Sequence, residues 1–178
     1  MQRCGLEVLR LTGDNATVKQ MEEEMPLYTW IHLACHATQE VSRPLKSAFH
    51  LLDGELDLSE MIKLQIPNAD LAFLSACQTS TGNSEISDEA VHLAAGMLAA
   101  GYRSVVSTMW SIKDEYGPEV AESFYSYILK RGNEDDKIQW NGASAAHAIH
   151  HATQRLRKKL GDTDESLLTW VPYVHFGI

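Results

Sequence analysis

Two short runs constrain this chain more than anything else in it, because each leads into a side chain able to do chemistry. The first, residues 28–34, reads Tyr-Thr-Trp-Ile-His-Leu-Ala and opens into Cys35, His36 and Ala37. The second, residues 71–76, reads Leu-Ala-Phe-Leu-Ser-Ala and opens into Cys77, Gln78 and Thr79. Short, mostly apolar runs of this kind read as buried strands. A parallel α/β sheet presents its reactive groups at the carboxyl ends of such strands, where the chain leaves the sheet. His36 and Cys77 lie 41 positions apart. A thiol beside an imidazole forms a nucleophile–base dyad in which the histidine draws the thiol toward thiolate.

The rest of the chain alternates in the same manner. Residues 6–11 read as a strand, and 14–25 as a helix with Asp14 or Asn15 as its cap. Residues 47–51, the Asp53-Gly54 turn and residues 56–65 read as a short hairpin leading to a short helix. A polar loop follows Cys77 over 79–86; then Ser87 caps a helix that Gly101 stops. Its nearly all small or apolar centre predicts burial, with Gly96 allowing close approach to the sheet. A strand is expected over 103–109 and a helix from Pro118 to Lys130, with Gly132 beyond. After a polar loop at 132–137, a helix is expected over 142–160, and the apolar tail 167–178 packs back. This alternation predicts one α/β domain over residues 1–178, a mostly parallel sheet with helices on both faces.

Composition narrows the function. A net charge of −9 argues against a nucleic-acid partner, and no stretch approaches the roughly 20 apolar residues of a membrane span. The first residues lack the apolar core of a signal peptide. Three cysteines, Cys4, Cys35 and Cys77, give no disulfide framework and point to a reducing compartment, cytosol or nucleus, with a cytoplasmic location expected. His32, Cys35, His36 and Cys77 are zinc-type ligands, but without a C-x-x-C pair no metal is expected. His147, His150 and His151 share a helical face without the glutamate of H-E-x-x-H, so they read as surface. No phosphate-binding glycine loop is present, and no cofactor is expected. Cys35 directly precedes His36, so in an extended strand their side chains point to opposite faces and Cys77 is the better nucleophile.

Several blocks carry a family resemblance. They are His32-Leu-Ala-Cys-His36, Pro44-Leu-Lys-Ser-Ala-Phe, Ala72-Phe-Leu-Ser-Ala-Cys-Gln-Thr79, the run from Glu89 to Gly101, Ser104 to Asp114, and Trp170 to Gly177. Together they resemble the CHAT domain of caspase-like cysteine peptidases, over roughly residues 5–178. Caspases place histidine about 50 residues before a Q-A-C signature; here the local sequence is Ser75-Ala76-Cys77-Gln78. The resemblance implies a caspase/hemoglobinase-like fold, with His36 and Cys77 in the catalytic positions. Main-chain N–H groups at Ala37 and Cys77 would hold the oxyanion. Gln78, Trp110 and Asp114 are candidates for the substrate cleft; packing for Trp110 and helix capping for Asp114 are the other readings.

Such domains commonly follow tetratricopeptide-type repeats, which makes a protein or peptide substrate and repeats of the same full-length protein the expected partners. Where the family often has glycine after the histidine, this chain has Ala37, a costly exchange if the backbone angle is one that suits glycine. The family's first strand and following helix precede everything matched here. The expectation is therefore an N-terminally incomplete domain with an open edge beside the His36 strand, inactive or association-prone when taken alone. The expected function is a His–Cys endopeptidase within a larger regulatory protein; the alternative is an inactive pseudo-peptidase that serves as an interaction or scaffold domain.

Overall fold

The computed structural model describes residues 7–40, 42–75, 90–110, 112, 115–134 and 142–178. In the described part of 6–11 the expected strand does not form. Residues 7–12 pair with no strand among the described residues, and Val8 and Leu9 are 51% and 42% exposed. An apolar run holds as a strand only where a neighbour takes up its main-chain groups. A 3-10 turn at Gly13–Asn15 absorbs the expected cap residues, so the helix starts later. This helix, α1 (Val18–Glu24), is capped by the Thr17 side chain, which accepts from the Gln20 N–H. Asp53, from the hairpin turn, accepts from the Val18 N–H at 2.8 Å.

Strand β1 (Trp30–Leu33) is followed by the very short β2 (Ala37–Thr38), then β3 (Ala48–His50), β4 (Glu55–Asp57) and helix α2 (Leu58–Lys63). The expected hairpin closes with the Leu51 N–H donating to the Gly54 carbonyl at 2.8 Å. Strand β2 extends it to an antiparallel sheet in the order β2-β3-β4. The chain continues through β5 (Leu71–Leu74), α3 (Ala90–Ala99), β6 (Ser104–Thr108), α4 (Gly117–Glu134), α5 (Ala145–Leu160), α6 (Asp164–Trp170) and β7 (Tyr173–Gly177). Helix α4 passes through Gly132 instead of ending at Lys130. One glycine costs about 1 kcal/mol in a helix, which flanking turns can offset. Helix α3 ends as expected: Gly101 takes a φ of +110°, and Tyr102 N–H donates to the Met97 carbonyl at 3.1 Å.

Among the described residues the central sheet runs β1-β5-β6-β7, with the first two pairings parallel and β6–β7 antiparallel. Helices cover both faces. Leu33, Ala72, Leu74 and Val105 pack with Met21, Leu58, Met61, Leu93 and Met97 of α1, α2 and α3. Leu71, Phe73 and Val106 pack with Val120, Phe124, Ile149 and Leu156 of α4 and α5. Every residue of β5 is buried, as a strand covered on both sides requires. Gly96 serves a contact different from the expected one: a Cβ there would overlap the Leu58 side chain of α2, so it brings α3 onto α2.

Strand β1 leaves one edge of this sheet open among the described residues. Thr29 and Leu33 direct their carbonyls to β5, accepting from Leu71 and Ser75 at 3.3 and 2.9 Å. Main-chain groups alternate sides along a parallel ladder, so those of Trp30, His32 and Ala34 face the open side.

The amino ends of the strands are fastened by Asp70. Its Oδ2 accepts from Trp30 Nε1 at 2.8 Å and from the Gly142 N–H at 2.7 Å. Its carbonyl accepts from the Ser104 N–H at 2.9 Å. Asp70→Ala leaves two partly buried donors unpaired and is expected to cost about 2 kcal/mol in urea unfolding. Asp70→Asn, whose amide oxygen still accepts, should lose less; equal losses would contradict this account.

Candidate active site

The two strands that lead to the sequence-chosen residues are parallel neighbours, with Leu33 opposite Leu74. His36 and Cys77 each follow the last residue of their strand by three positions. Cys77, Gln78 and Asp114 lie outside the described residues, as does the cap Ser87.

Past β1 the chain bends at Cys35, whose side chain packs against the layer of α1, α2 and α3. Burial pushes its thiol up to about 11. His36 is exposed, and its carbonyl accepts from the His50 N–H at 2.8 Å. That bond lies beside the Ala37–Phe49 pair of the antiparallel ladder. The pair is therefore the non-hydrogen-bonded kind, and the Ala37 N–H is directed away from β3. Among the described residues Gln65 is the one non-glycine with positive φ, so Ala37 carries none of the strain expected for alanine in a glycine position.

Trp110 is half-buried at the carboxyl end of β6, and its indole N–H donates to the Leu168 carbonyl of α6 at 2.9 Å. Its polar edge is thus committed to the fold. Among the described residues, no three His, Cys, Asp or Glu side chains come together to hold a metal ion, and no helix is long and apolar enough to cross a membrane.

Sequence reading missed a polar contact at this edge. His32 Nε2 and Ser75 Oγ form a hydrogen bond of 3.0 Å across β1 and β5. One side of the His32 ring is covered by Phe73 and Tyr125, with centroids 4.9 and 5.7 Å away, while the residue stays exposed at the surface. That partial burial lowers its pKa from the usual histidine value. The signal was the shared side-chain parity of residues 32, 73 and 75, visible only once the strands are paired.

Beside β2, Thr38, Glu40, Arg43, Lys46, Glu55 and Asp57 line a charged hollow. Asp57 accepts from Lys46 Nζ at 2.7 Å, from Ser59 Oγ at 2.6 Å and from the Glu60 N–H at 2.9 Å, which caps α2. Burial raises its pKa, but these donors outweigh that and hold it at about 2, below the ordinary 3.8. A depressed folded value stabilises above the unfolded pKa and is lost as pH falls through the folded one. Asp57→Asn is therefore expected to cost about 1–2 kcal/mol at neutral pH. The gap from wild type should close between about pH 5 and pH 2 in urea titrations. A gap independent of pH would contradict the assignment.

A mostly parallel sheet covered by helices on both faces defines an α/β protein, in which His36 and Cys77 follow two neighbouring strands in sequence. The CHAT domain family model matches residues 5–178, and the chain belongs to this family of caspase-like cysteine peptidases. None of the curated proteins compared with the chain matches it.

Proposed function

We propose that this chain is a cysteine endopeptidase domain of caspase-like fold, with Cys77 as nucleophile and His36 as general acid and base. One observation carries the reading: β1 and β5, the strands that lead into His36 and Cys77, are register-matched parallel neighbours. The burial of Cys35, which keeps its thiol protonated, supports Cys77 over its nearest rival. In the proposed reaction His36 takes the Cys77 proton, and the thiolate attacks the scissile carbonyl carbon. Main-chain N–H groups of Ala37 and Cys77 hold the oxyanion. The protonated His36 then gives its proton to the leaving amine as the C–N bond breaks, which leaves a thioester on Cys77. Water, deprotonated by His36, hydrolyses the thioester to the carboxylic product and restores the thiol. The substrate is a peptide segment of a protein, with repeats of the same full-length protein as further partners and the cytoplasm as the compartment.

The test is covalent labelling of the full chain with a peptidyl acyloxymethyl ketone, with the modified residue located by mass spectrometry. The expected result is labelling of Cys77 that is lost in His36→Ala. Labelling no faster than that of a free thiol peptide would assign the chain to a scaffold role instead.

A further inference from the structure

We propose that the His32–Ser75 hydrogen bond is a positioning device, which fixes the two strand ends so that His36 and Cys77 meet in reactive geometry. The inference rests on the peptidase reading above and goes beyond it by naming two residues that act without touching substrate.

Among the described residues, the last main-chain bond of the ladder between β1 and β5 is the one the Ser75 N–H donates to the Leu33 carbonyl at 2.9 Å. Among the described residues, the His32–Ser75 bond of 3.0 Å is the side-chain hydrogen bond that ties these strands at their carboxyl ends. Ser75 stands two positions before Cys77, and His32 four before His36. A shift of either strand end would move the start of the segment that carries a proposed reacting group. The anchor has rigid backing. The His32 ring rests on Phe73, which is fully buried and meets Phe124 edge-on at 4.9 Å. Tyr125 of α4 lies against both His32 and Phe73, at 5.7 and 5.8 Å. An imidazole held on an aromatic platform has few rotamers to lose, so it suits positioning better than mobile acid–base work. Misplacing a reacting group by about 1 Å can cost about a hundredfold in rate, far more than the loss of one exposed hydrogen bond costs in stability.

The test compares wild type, Ser75→Ala, Ser75→Thr, His32→Phe and the double variant Ser75→Ala/His32→Phe, each in the full chain. Threonine keeps the hydroxyl; phenylalanine keeps the ring packing and removes the hydrogen bond. Ser75→Ala and His32→Phe should each lower kcat for peptide cleavage about ten- to a hundredfold, with KM within about twofold and the thermal midpoint little changed. Ser75→Thr should recover most of kcat, and the double variant should be no worse than either single one. Site-resolved alkylation of Cys77 by iodoacetamide should slow in parallel with kcat. A kcat within about threefold of wild type in either folded single variant overturns the positioning role, as does full additivity. If wild type cleaves no peptide and its Cys77 alkylates like a free thiol, the peptidase reading fails first and the positioning role with it.

Discussion

Cys77→Ala is expected to lower peptide cleavage by about a thousandfold or more, and His36→Ala by a similar factor, while Cys35→Ala keeps most of the activity. The contrast between the two cysteines follows from their surroundings. Cys35 lies against the hydrophobic layer of α1, α2 and α3, where burial lifts its thiol to about 11. At neutral pH such a thiol is ionised about one part in 10⁴, too little to supply a nucleophile. Cys77 follows the end of β5 beside the strand that leads to His36, and a neighbouring imidazole draws a thiol toward thiolate. Loss of either dyad member removes the same step, so the double variant should be no slower than the worse single one. Cys35→Ala leaves a small gap in a half-buried site and is expected to cost about 1 kcal/mol of stability. Steady-state hydrolysis of a peptide library, with thermal midpoints measured alongside, checks all of this. An inactive but folded Cys35→Ala beside an active Cys77→Ala would reverse the nucleophile assignment.

The parts of this architecture that were legible in the sequence are those where burial leaves little choice of residue. Strands β5 and β6 are wholly buried and covered on both sides, so the apolar run of β5 and the small, β-branched residues of β6 stood out, as did the glycine that ends α3. Residues 7–11 have the composition of a strand but no strand partner among the described residues, and pairing is a non-local property that the run itself does not contain. Strand β2, two residues long, has too little pattern to show any period. At α1 several residues could cap; the structure uses Thr17 because Gly13–Asn15 is already spent in a 3-10 turn. The same division holds at the site. His36 was found from its place after a strand-like run, whereas His32 and Ser75 became partners only once Leu33 was known to lie opposite Leu74. A single register step would have put them on opposite faces of the sheet.

Gly177→Ala is expected to cost about 4 kcal/mol in folding stability, against about 2 kcal/mol for Gly161→Ala. Both glycines have positive φ, +112° at Gly177 and +80° at Gly161, so both variants pay for backbone strain. The difference lies in what a Cβ would meet. At Gly161 nothing lies within 4 Å. At Gly177, the last residue of β7, a Cβ would overlap the Arg103 carbonyl oxygen and stand 3.2 Å from Ser104 Cα. That backbone cannot easily give way. The N–H groups of Arg103 and Ser104 both donate to the Asp70 carbonyl, at 3.1 and 2.9 Å, and the Arg103 carbonyl itself accepts from the Ile178 N–H at 3.1 Å. The end of β7 must therefore lift away, which breaks its pairing with Ser104 and uncovers one edge of β6. A loss near 4 kcal/mol is a large share of the roughly 5–15 kcal/mol that holds a domain together. Urea unfolding of the two variants beside wild type measures the difference directly. Equal losses would mean that the backbone of Arg103 yields to the added methyl group, and that Asp70 does not hold it as firmly as its hydrogen bonds imply.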